Sequence, residues 1–212
     1  MENCPFCSLN EETRARVIKE TKNFFILSDI GPIVEGHLLL IPKKHLECFG
    51  ALDKNLERKF QALKDEIYYF VYENYGFPLI FEHGIGGQTV YHAHLHFIPT
   101  KNRLLLEPLL LDKVIEKIRK NEEITGKKII PVKSFEAVKN YHQKYGKYLY
   151  LEERDKKYIV RGENFAPRIL REIVAELLGV PERGNWREVK DGQEIVKIVR
   201  KQWKKWHNSK PS

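Results

Sequence analysis

The sequence predicts an α+β fold in which an antiparallel sheet carries one long helix and is followed by a helical and hairpin extension. Four apolar segments, 23–30, 37–42, 79–83 and 91–98, have the length of strands and adjoin Gly, Pro or polar turn residues. Between the second and third segments, apolar residues recur at three- and four-residue spacing, which is typical of a helix with one buried face. An apolar fraction of 42% over 212 residues supports a globular core.

The N-terminal unit is predicted to span residues 1–126. Its first two strands form a hairpin across the loop GPIVEG. Asp53 is expected to cap the long helix, and Gly76 and Pro78 to end it. The apolar face of that helix comprises Leu52, Leu56, Phe60, Leu63, Ile67, Phe70 and Val71. A strand, the loop GIGGQ, a further strand and a helix over 106–121 complete the unit.

Residues 127–212 are predicted to form the C-terminal extension, which consists of a hairpin and two helices. The hairpin turns at Arg154 and Asp155, between two segments with the composition of strands. Asn164 is expected to cap the first helix, with Pro167 in its first turn, and Asp191 to start the second.

Three histidines stand at alternate positions of the segment VYHAHLHFIP: His92, His94 and His96. Because side chains alternate between the two faces of a strand, a strand here places all three imidazoles on one face. Imidazole is a common zinc ligand and also a nucleophile. The pattern therefore favours a metal centre or nucleophilic catalysis over a solvated polar face.

Cys4 and Cys7 form a C-x-x-C motif, which alone is typical of a redox pair or of half a metal site. A redox pair is expected in a thioredoxin-like setting, and the sequence that follows does not have that pattern. His45 and His92 provide two further ligands of the types that zinc accepts. Cys48 is expected to be a small buried residue.

Composition also predicts the compartment and the partners. Three cysteines do not make a disulfide framework, the first residues lack a signal-peptide pattern, and the apolar runs are shorter than a membrane span. We therefore expect a cytoplasmic protein without a membrane partner.

The net charge of +8 is concentrated near the C-terminus, where residues 183–212 carry nine Lys or Arg and three Asp or Glu. Such a tail attracts nucleic acid or phosphorylated ligands, but a solvated helix face explains it equally simply. We favour the solvated face. We likewise expect Trp186, Trp203 and Trp206 to pack rather than to stack on bases.

The segment HAHLHFI resembles the H-φ-H-φ-H-φ-φ signature of the histidine-triad (HIT) superfamily of nucleotide hydrolases and transferases. The resemblance includes FILSDIGPIVEGHLLLIPKKH and GGQTV, and it covers about residues 1–105. The tail is similar to the extension of longer HIT-like proteins, including CwfJ-type proteins associated with splicing.

The resemblance implies a role for each matching residue. His94 would attack the α-phosphorus and form a nucleotidyl-histidine, and His96 would donate a hydrogen bond to a phosphate oxygen. Gln88 and Thr89 would contact the phosphate and the leaving group, and Asp29 would hold the ribose hydroxyls. Gly86 and Gly87 would let the backbone approach the phosphate closely. The zinc ligands of metal-bearing relatives correspond to Cys4, Cys7, His45 and His92, and a two-fold homodimer is common among relatives.

One departure from the family pattern concerns FEHG. Relatives carry Asn or Gln followed by an acidic residue in this region, whereas this chain has Glu82 and His83. An ionised Glu82 facing the substrate would repel a polyphosphate.

Three functions remain open at this point. The favoured one is a nucleotidyl hydrolase or transferase acting on a dinucleoside polyphosphate, a phosphoramidate or an adenylylated species. The second is a factor that processes or binds nucleic acid through the basic tail. The third is a metalloenzyme with its metal at the three histidines.

Overall fold

The computed structural model describes residues 4–101, 104, 108–120, 128–161 and 165–210. Within these ranges, eight strands form one antiparallel sheet in the order β1-β2-β3-β5-β4-β7-β8-β6. The strands are β1 (Val17–Glu20), β2 (Phe24–Ser28), β3 (Leu38–Pro42), β4 (Pro78–Glu82), β5 (Leu95–Pro99), β6 (Ile129–Pro131), β7 (Tyr148–Glu153) and β8 (Lys156–Arg161). The helices are α1 (Glu11–Ala15), α2 (Glu57–Tyr75), α3 (Leu110–Lys120), α4 (Phe135–Tyr145), α5 (Ile169–Leu177) and α6 (Gly192–Asn208). The predicted α+β class is confirmed.

The long helix begins later than the sequence predicts. A 3₁₀ turn, Lys54–Leu56, precedes α2, and Asp53 makes no capping hydrogen bond; its carboxylate accepts from Lys44 Nζ at 2.9 Å instead. The prediction that Asp53 caps the helix is therefore wrong. The predicted end is confirmed, because Gly76 adopts φ 103° and donates its N–H to Tyr72 O at 3.2 Å.

Strands β2, β3, β4, β5 and β7 are buried along their whole length. Helices cover both faces of β4, β5 and β7, whereas the second face of β2 and β3 packs against Phe6 of the N-terminal segment. On one face, α2 and α6 pack over Leu95 and Phe97 of β5. On the other face, α3 and α5 pack over Ile98 of β5 and over β4 and β7. His96 lies between Leu95 and Phe97 in sequence, so its side chain points to the second face.

The extension continues the sheet of the N-terminal unit. Strand β7 pairs with β4, with Phe81 opposite Leu151, and the predicted hairpin at Arg154 and Asp155 is confirmed as β7–β8. The sequence predicts an appended unit, whereas the structure shows one sheet with shared cores. The predicted boundary at 126/127 falls at the edge of a segment outside the described residues.

Several local predictions for the extension need correction. Asn164 lies outside the described residues, and Pro167 precedes α5 rather than lying in its first turn, since the helix begins at Ile169. Four elements, α1, β1, β6 and α4, are not among those predicted. The first three have 5, 4 and 3 residues and are too short to show a period. Helix α4 does carry an apolar stripe that the prediction overlooks, at Phe135, Val138 and Tyr141. Among the described residues, the structure contains no helix that is long and apolar enough to cross a membrane.

Candidate active site and metal centre

The three histidines do not share one strand. Strand β5 begins at Leu95, so His96 lies in it, while His92 and His94 occupy the bent segment before it. The Ala93 N–H in that bend donates to Leu46 O at 2.6 Å. The strand predicted over 91–98 is therefore too long. Because of the bend, His92 contacts the N-terminal cysteines, whereas the rings of His94 and His96 lie 5.0 Å apart.

His94 has one nitrogen fixed by the backbone. Its Nδ1 lies 2.6 Å from His92 O, and a carbonyl oxygen only accepts, so Nδ1 carries the proton. The lone pair of the neutral ring is therefore on Nε2. Burial lowers the pKa of His94 below its ordinary value, so the ring is neutral near pH 7. The side chain lines a cavity, and a neutral imidazole with its lone pair on Nε2 has the chemistry that a nucleophile needs.

A chain of hydrogen bonds fixes the opposite tautomer in His96. The Ile33 N–H donates to His37 Nδ1 at 3.2 Å, so the other nitrogen of His37 carries its proton. That nitrogen, Nε2, donates to His96 Nδ1 at 3.0 Å. The proton of His96 must then lie on Nε2, which is buried and has no partner among the described residues. His96 therefore offers an N–H donor where His94 offers a lone pair.

Burial keeps the supporting imidazoles neutral as well. It lowers the pKa of His37 to about 3 and that of His96 well below its ordinary value. The ring of His96 also stacks on Phe81, with centroids 4.5 Å apart and planes inclined by 22°. These contacts hold the donor in one orientation.

The N-terminal cysteines meet two histidines. The Sγ of Cys4 lies 3.3 Å from His92 Nδ1, and the Sγ of Cys7 lies 3.2 Å from His45 Nδ1 and 3.5 Å from His92 Nδ1. All four donor atoms lie within 4.8 Å of one another. His92 Nε2 donates to Pro42 O at 2.7 Å, which leaves the lone pair of Nδ1 for a metal.

This donor set fits zinc. Two thiol sulfurs and two imidazole nitrogens make a Cys₂His₂ site, and bonds of about 2.0–2.3 Å to one ion bring ligand atoms to the separations observed here. A metal centre built on all three histidines does not fit, because His92 Nδ1 faces the cysteines and His94 Nδ1 is occupied by a carbonyl. The donors of a second group, Asp29 with His37 and His96, are engaged elsewhere: His37 donates to His96, and Asp29 accepts from Gly31 and Arg171.

Asp29 is a buried carboxylate held by the extension. Its Oδ1 accepts from the Gly31 N–H at 2.9 Å, and its Oδ2 accepts from Arg171 Nη1 at 3.2 Å. Burial by itself would raise the pKa of Asp29, but Arg171 and His37 with other donors hold it at about 2. Asp29 lines the same cavity as His94 and His96 and is ionised there.

The glycine-rich loop packs against the extension. A Cβ on Gly86 would lie 2.7 Å from the Phe165 ring, and one on Gly87, which has φ 79°, would lie 2.8 Å from Ala166 O. The close approach that these glycines permit is thus made to residues 165 and 166, and their contact with a phosphate stays a prediction. Gln88 donates to Glu47 O at 2.8 Å, and Thr89 lines the cavity.

Glu82 does not face the cavity. Its oxygens accept from Phe49 N–H at 2.7 Å and from Tyr148 Oη at 2.6 Å. Burial raises its pKa to about 7, against the effect of those two bonds. Repulsion of a polyphosphate was expected only from an unpaired, ionised Glu82, and here the carboxylate is paired with Phe49 and Tyr148. His83 accepts from the Leu170 N–H at 3.2 Å and so holds the start of α5.

A cavity of about 240 Å³ joins these groups. Its wall includes His94, His96, Asp29 and Thr89, together with apolar side chains. Arg171 and Trp186, which come from the extension, also line the cavity, and the sequence did not predict them at the site.

The three tryptophans of the extension differ in their surroundings. Trp203 and Trp206 are buried against Phe70 of α2, which confirms their predicted packing. Trp186 is half-buried at the cavity wall.

Comparisons with known proteins agree with this geometry. A model of the HIT domain matches residues 10–103. An uncharacterized HIT-like protein of Methanocaldococcus jannaschii is 33% identical over 100 residues, which cover 45% of this chain and 78% of that protein.

Two further proteins are similar to this chain. Zinc finger CCCH domain-containing protein 64 of Arabidopsis thaliana is 25% identical over 217 residues, which cover 96% of this chain but 35% of the plant protein. A Zn-bound histidine triad family protein from Mycobacterium smegmatis is similar in structure, at 28% identity and a TM-score of 0.40, over 50% of this chain and 81% of its own. The domain match and the archaeal relative, with the triad in place, show that the chain belongs to the HIT family.

Proposed function

We propose that this protein is a nucleotidyl hydrolase or transferase that cleaves a nucleotide conjugate at its α-phosphorus. The substrate class comprises dinucleoside polyphosphates, nucleoside phosphoramidates and adenylylated species. The observation that supports the proposal is that His94 and His96, which line the same cavity, have opposite tautomers. His94 has a free lone pair on Nε2, and His96 has a free N–H on Nε2.

In the first step, His94 Nε2 attacks the α-phosphorus. A P–N bond forms and the bond from phosphorus to the leaving group breaks, with its electron pair going to the leaving group. The amine of a phosphoramidate takes a proton from solvent as it leaves. His94 Nδ1–H, bonded to His92 O at 2.6 Å, stabilises the positive charge that develops on the ring. His96 Nε2–H donates to a phosphate oxygen and stabilises the charge of the transition state.

In the second step, water or another acceptor attacks the same phosphorus. The P–N bond breaks and its electron pair returns to His94, so the enzyme is regenerated with the original tautomer. A water acceptor loses a proton to solvent and gives a nucleoside monophosphate. The same intermediate serves a hydrolase and a transferase, because the two differ in the acceptor alone.

We further propose that Cys4, Cys7, His45 and His92 hold a structural zinc ion. When bound, zinc would tie the N-terminal segment to the loop after β3 and to the triad segment. Phe6, which lies between the two cysteines in sequence, packs on His92 and His94 with ring centroids 5.7 and 5.8 Å away. The chain around the ligands therefore forms one wall of the proposed substrate site.

Substrate hydrolysis tests the proposal. Adenosine 5′-phosphoramidate and diadenosine polyphosphates are offered to the protein, and phosphorus NMR follows the products. We expect turnover by the unchanged chain and a loss of several orders of magnitude in His94→Ala. His207→Ala, at an exposed histidine of α6, is the matched control and should keep full activity. Equal rates in His94→Ala and in the control would overturn the proposed mechanism.

A further inference from the structure

Residues of the extension hold the loop after β2, which carries Asp29, by hydrogen bonds and close backbone contacts. Arg171 Nη2 donates to Gly31 O at 2.6 Å, and Arg183 Nε donates to Pro32 O at 2.8 Å. The start of α6 lies against the same loop, since a Cβ on Gly192 would lie 2.2 Å from Ile30 O. The loop after β2 is thus held from α5, from the turn after it and from α6.

Trp186 packs on the same loop, at Gly31. A Cβ on Gly31 would lie 2.5 Å from Trp186 O and 2.8 Å from Trp186 Cβ, so the two backbones are in direct contact. The backbone of Trp186 therefore packs directly on the loop that carries Asp29, two residues before Gly31. Its side chain is partly exposed, whereas those of Trp203 and Trp206 are buried, at 4% and 8% exposure.

The surroundings of Trp186 suit a planar aromatic group. It lines the cavity of the triad and also the groove beside it. Ile30 lines both spaces together with Trp186, and Phe6 and Leu39 add further apolar wall to the cavity. The phosphate chemistry is assigned to His94 and His96. The guanidinium carbon of Arg187 lies 4.2 Å from the centroid of the Trp186 ring and so helps to hold the indole in place.

We propose that Trp186 stacks on the nucleobase of the substrate, so that the extension completes the substrate site from within the same chain. This inference rests on the proposed function, because it assumes a nucleotide whose phosphate meets the histidines. Base–aromatic stacking is strong and tolerates any base, since every base has a π-face. The residue would therefore add affinity for nucleotides in general and little choice among bases.

Nucleotide binding to the inert His94→Ala chain tests the inference without relying on turnover. AMP is titrated while tryptophan fluorescence and calorimetry report binding. We expect Trp186→Ala in this background to weaken AMP binding by roughly ten- to a hundredfold, and Trp186→Phe to weaken it much less. Ribose 5-phosphate, which lacks a base, should bind equally to all three chains. This base-free probe separates a lost stacking contact from a damaged pocket.

A matched control uses a tryptophan remote from the cavity. AMP should quench fluorescence in Trp203→Phe and not in Trp186→Phe. Quenching that persists in Trp186→Phe, or an equal loss of AMP and ribose 5-phosphate binding in Trp186→Ala, would overturn the inference. Trp186-dependent binding without turnover by the unchanged chain would refute the proposed function alone. Turnover with Trp186-independent binding would refute this inference alone, and no AMP binding at all would refute both.

Discussion

His37 Nε2 lies 3.0 Å from His96 Nδ1, and this contact decides which nitrogen of His96 carries a proton. Since His37 Nδ1 accepts from the Ile33 N–H, its own tautomer is set by the backbone. The tautomer of His96, on which the proposed mechanism depends, is therefore set by a fully buried residue that lies outside the triad signature.

Substitution of His37 should lower the rate more than the affinity. His37→Leu removes the donor to His96, so the proton of His96 is free to lie on either nitrogen. We expect kcat to fall by roughly ten- to a hundredfold with little change in KM. His37→Gln, whose amide N–H can replace the donor, should recover part of the loss. Steady-state kinetics measure both values, and a fall confined to KM, or no recovery by Gln, would contradict this role.

Removal of the cysteines should remove the metal. We expect one zinc ion per chain in the unchanged protein and none in the double variant Cys4→Ser, Cys7→Ser. The melting temperature should drop in the variant, because metal binding contributes to folding. Cys48→Ala, at the cysteine outside the cluster, is the control and should keep its zinc. Metal analysis by mass spectrometry measures the content, and zinc retained by the double variant would refute the ligand assignment.

The stability of the protein should depend on the protonation of Glu82. Burial raises its pKa to about 7 in the folded state, above the unfolded value of about 4.3. The folded state therefore binds this proton more tightly, and the stability it contributes at low pH is lost as the pH rises through about 7. We expect the ionisation of Glu82 to lower the free energy of unfolding by about 3 kcal/mol as the pH rises from 5 to 8.

Urea unfolding of two variants measures this contribution. Glu82→Gln should lose less stability than the unchanged chain between pH 5 and pH 8, because the amide does not titrate. Glu116→Gln, at an exposed glutamate of α3, should behave like the unchanged chain. An identical pH dependence in all three proteins would show that Glu82 is already ionised at pH 5.

The basic tail should bind nucleic acid weakly. Its tryptophans Trp203 and Trp206 pack on α2, while Lys197, Arg200, Lys201, Lys204 and Lys205 form a solvated face of α6. We expect RNA to bind no tighter than a non-specific dissociation constant of roughly 10⁻⁴ to 10⁻⁶ M at physiological salt. Fluorescence anisotropy measures it. Sub-micromolar, salt-sensitive RNA binding that is lost when these five residues are changed to Glu would contradict this prediction. It would favour the hypothesis that the protein binds nucleic acid.

The sequence predicts the parts of the fold that have a strong local pattern. The hairpin of β2 and β3, the stripe of α2 and the hairpin of β7 and β8 follow from apolar runs with turn residues between them. The pairing of β7 with β4 does not follow, because contacts between distant strands leave no periodicity in either one. For the same reason, the sequence suggests a separate extension where the sheet is continuous.

The sequence likewise predicts some residues of the candidate site and not others. The ligand set of Cys4, Cys7, His45 and His92 was proposed from residue types and resemblance, and the structure brings all four together. His37, Arg171 and Trp186 were missed. His37 and Arg171 reach the site through hydrogen bonds to residues 59 and 142 positions away, and such contacts leave no local signal. The one available signal for Trp186 was a tryptophan among polar residues, which packing explains equally well.

The most direct test of the central claim is to trap the nucleotide on His94. The protein is mixed with diadenosine tetraphosphate and quenched in alkali, which preserves a P–N bond, and the digested chain is analysed by mass spectrometry. We predict a peptide from the triad segment that carries one adenylyl group on His94, and no such peptide from His94→Ala. An unmodified His94 throughout turnover, or an adenylyl group on another residue, would contradict the mechanism.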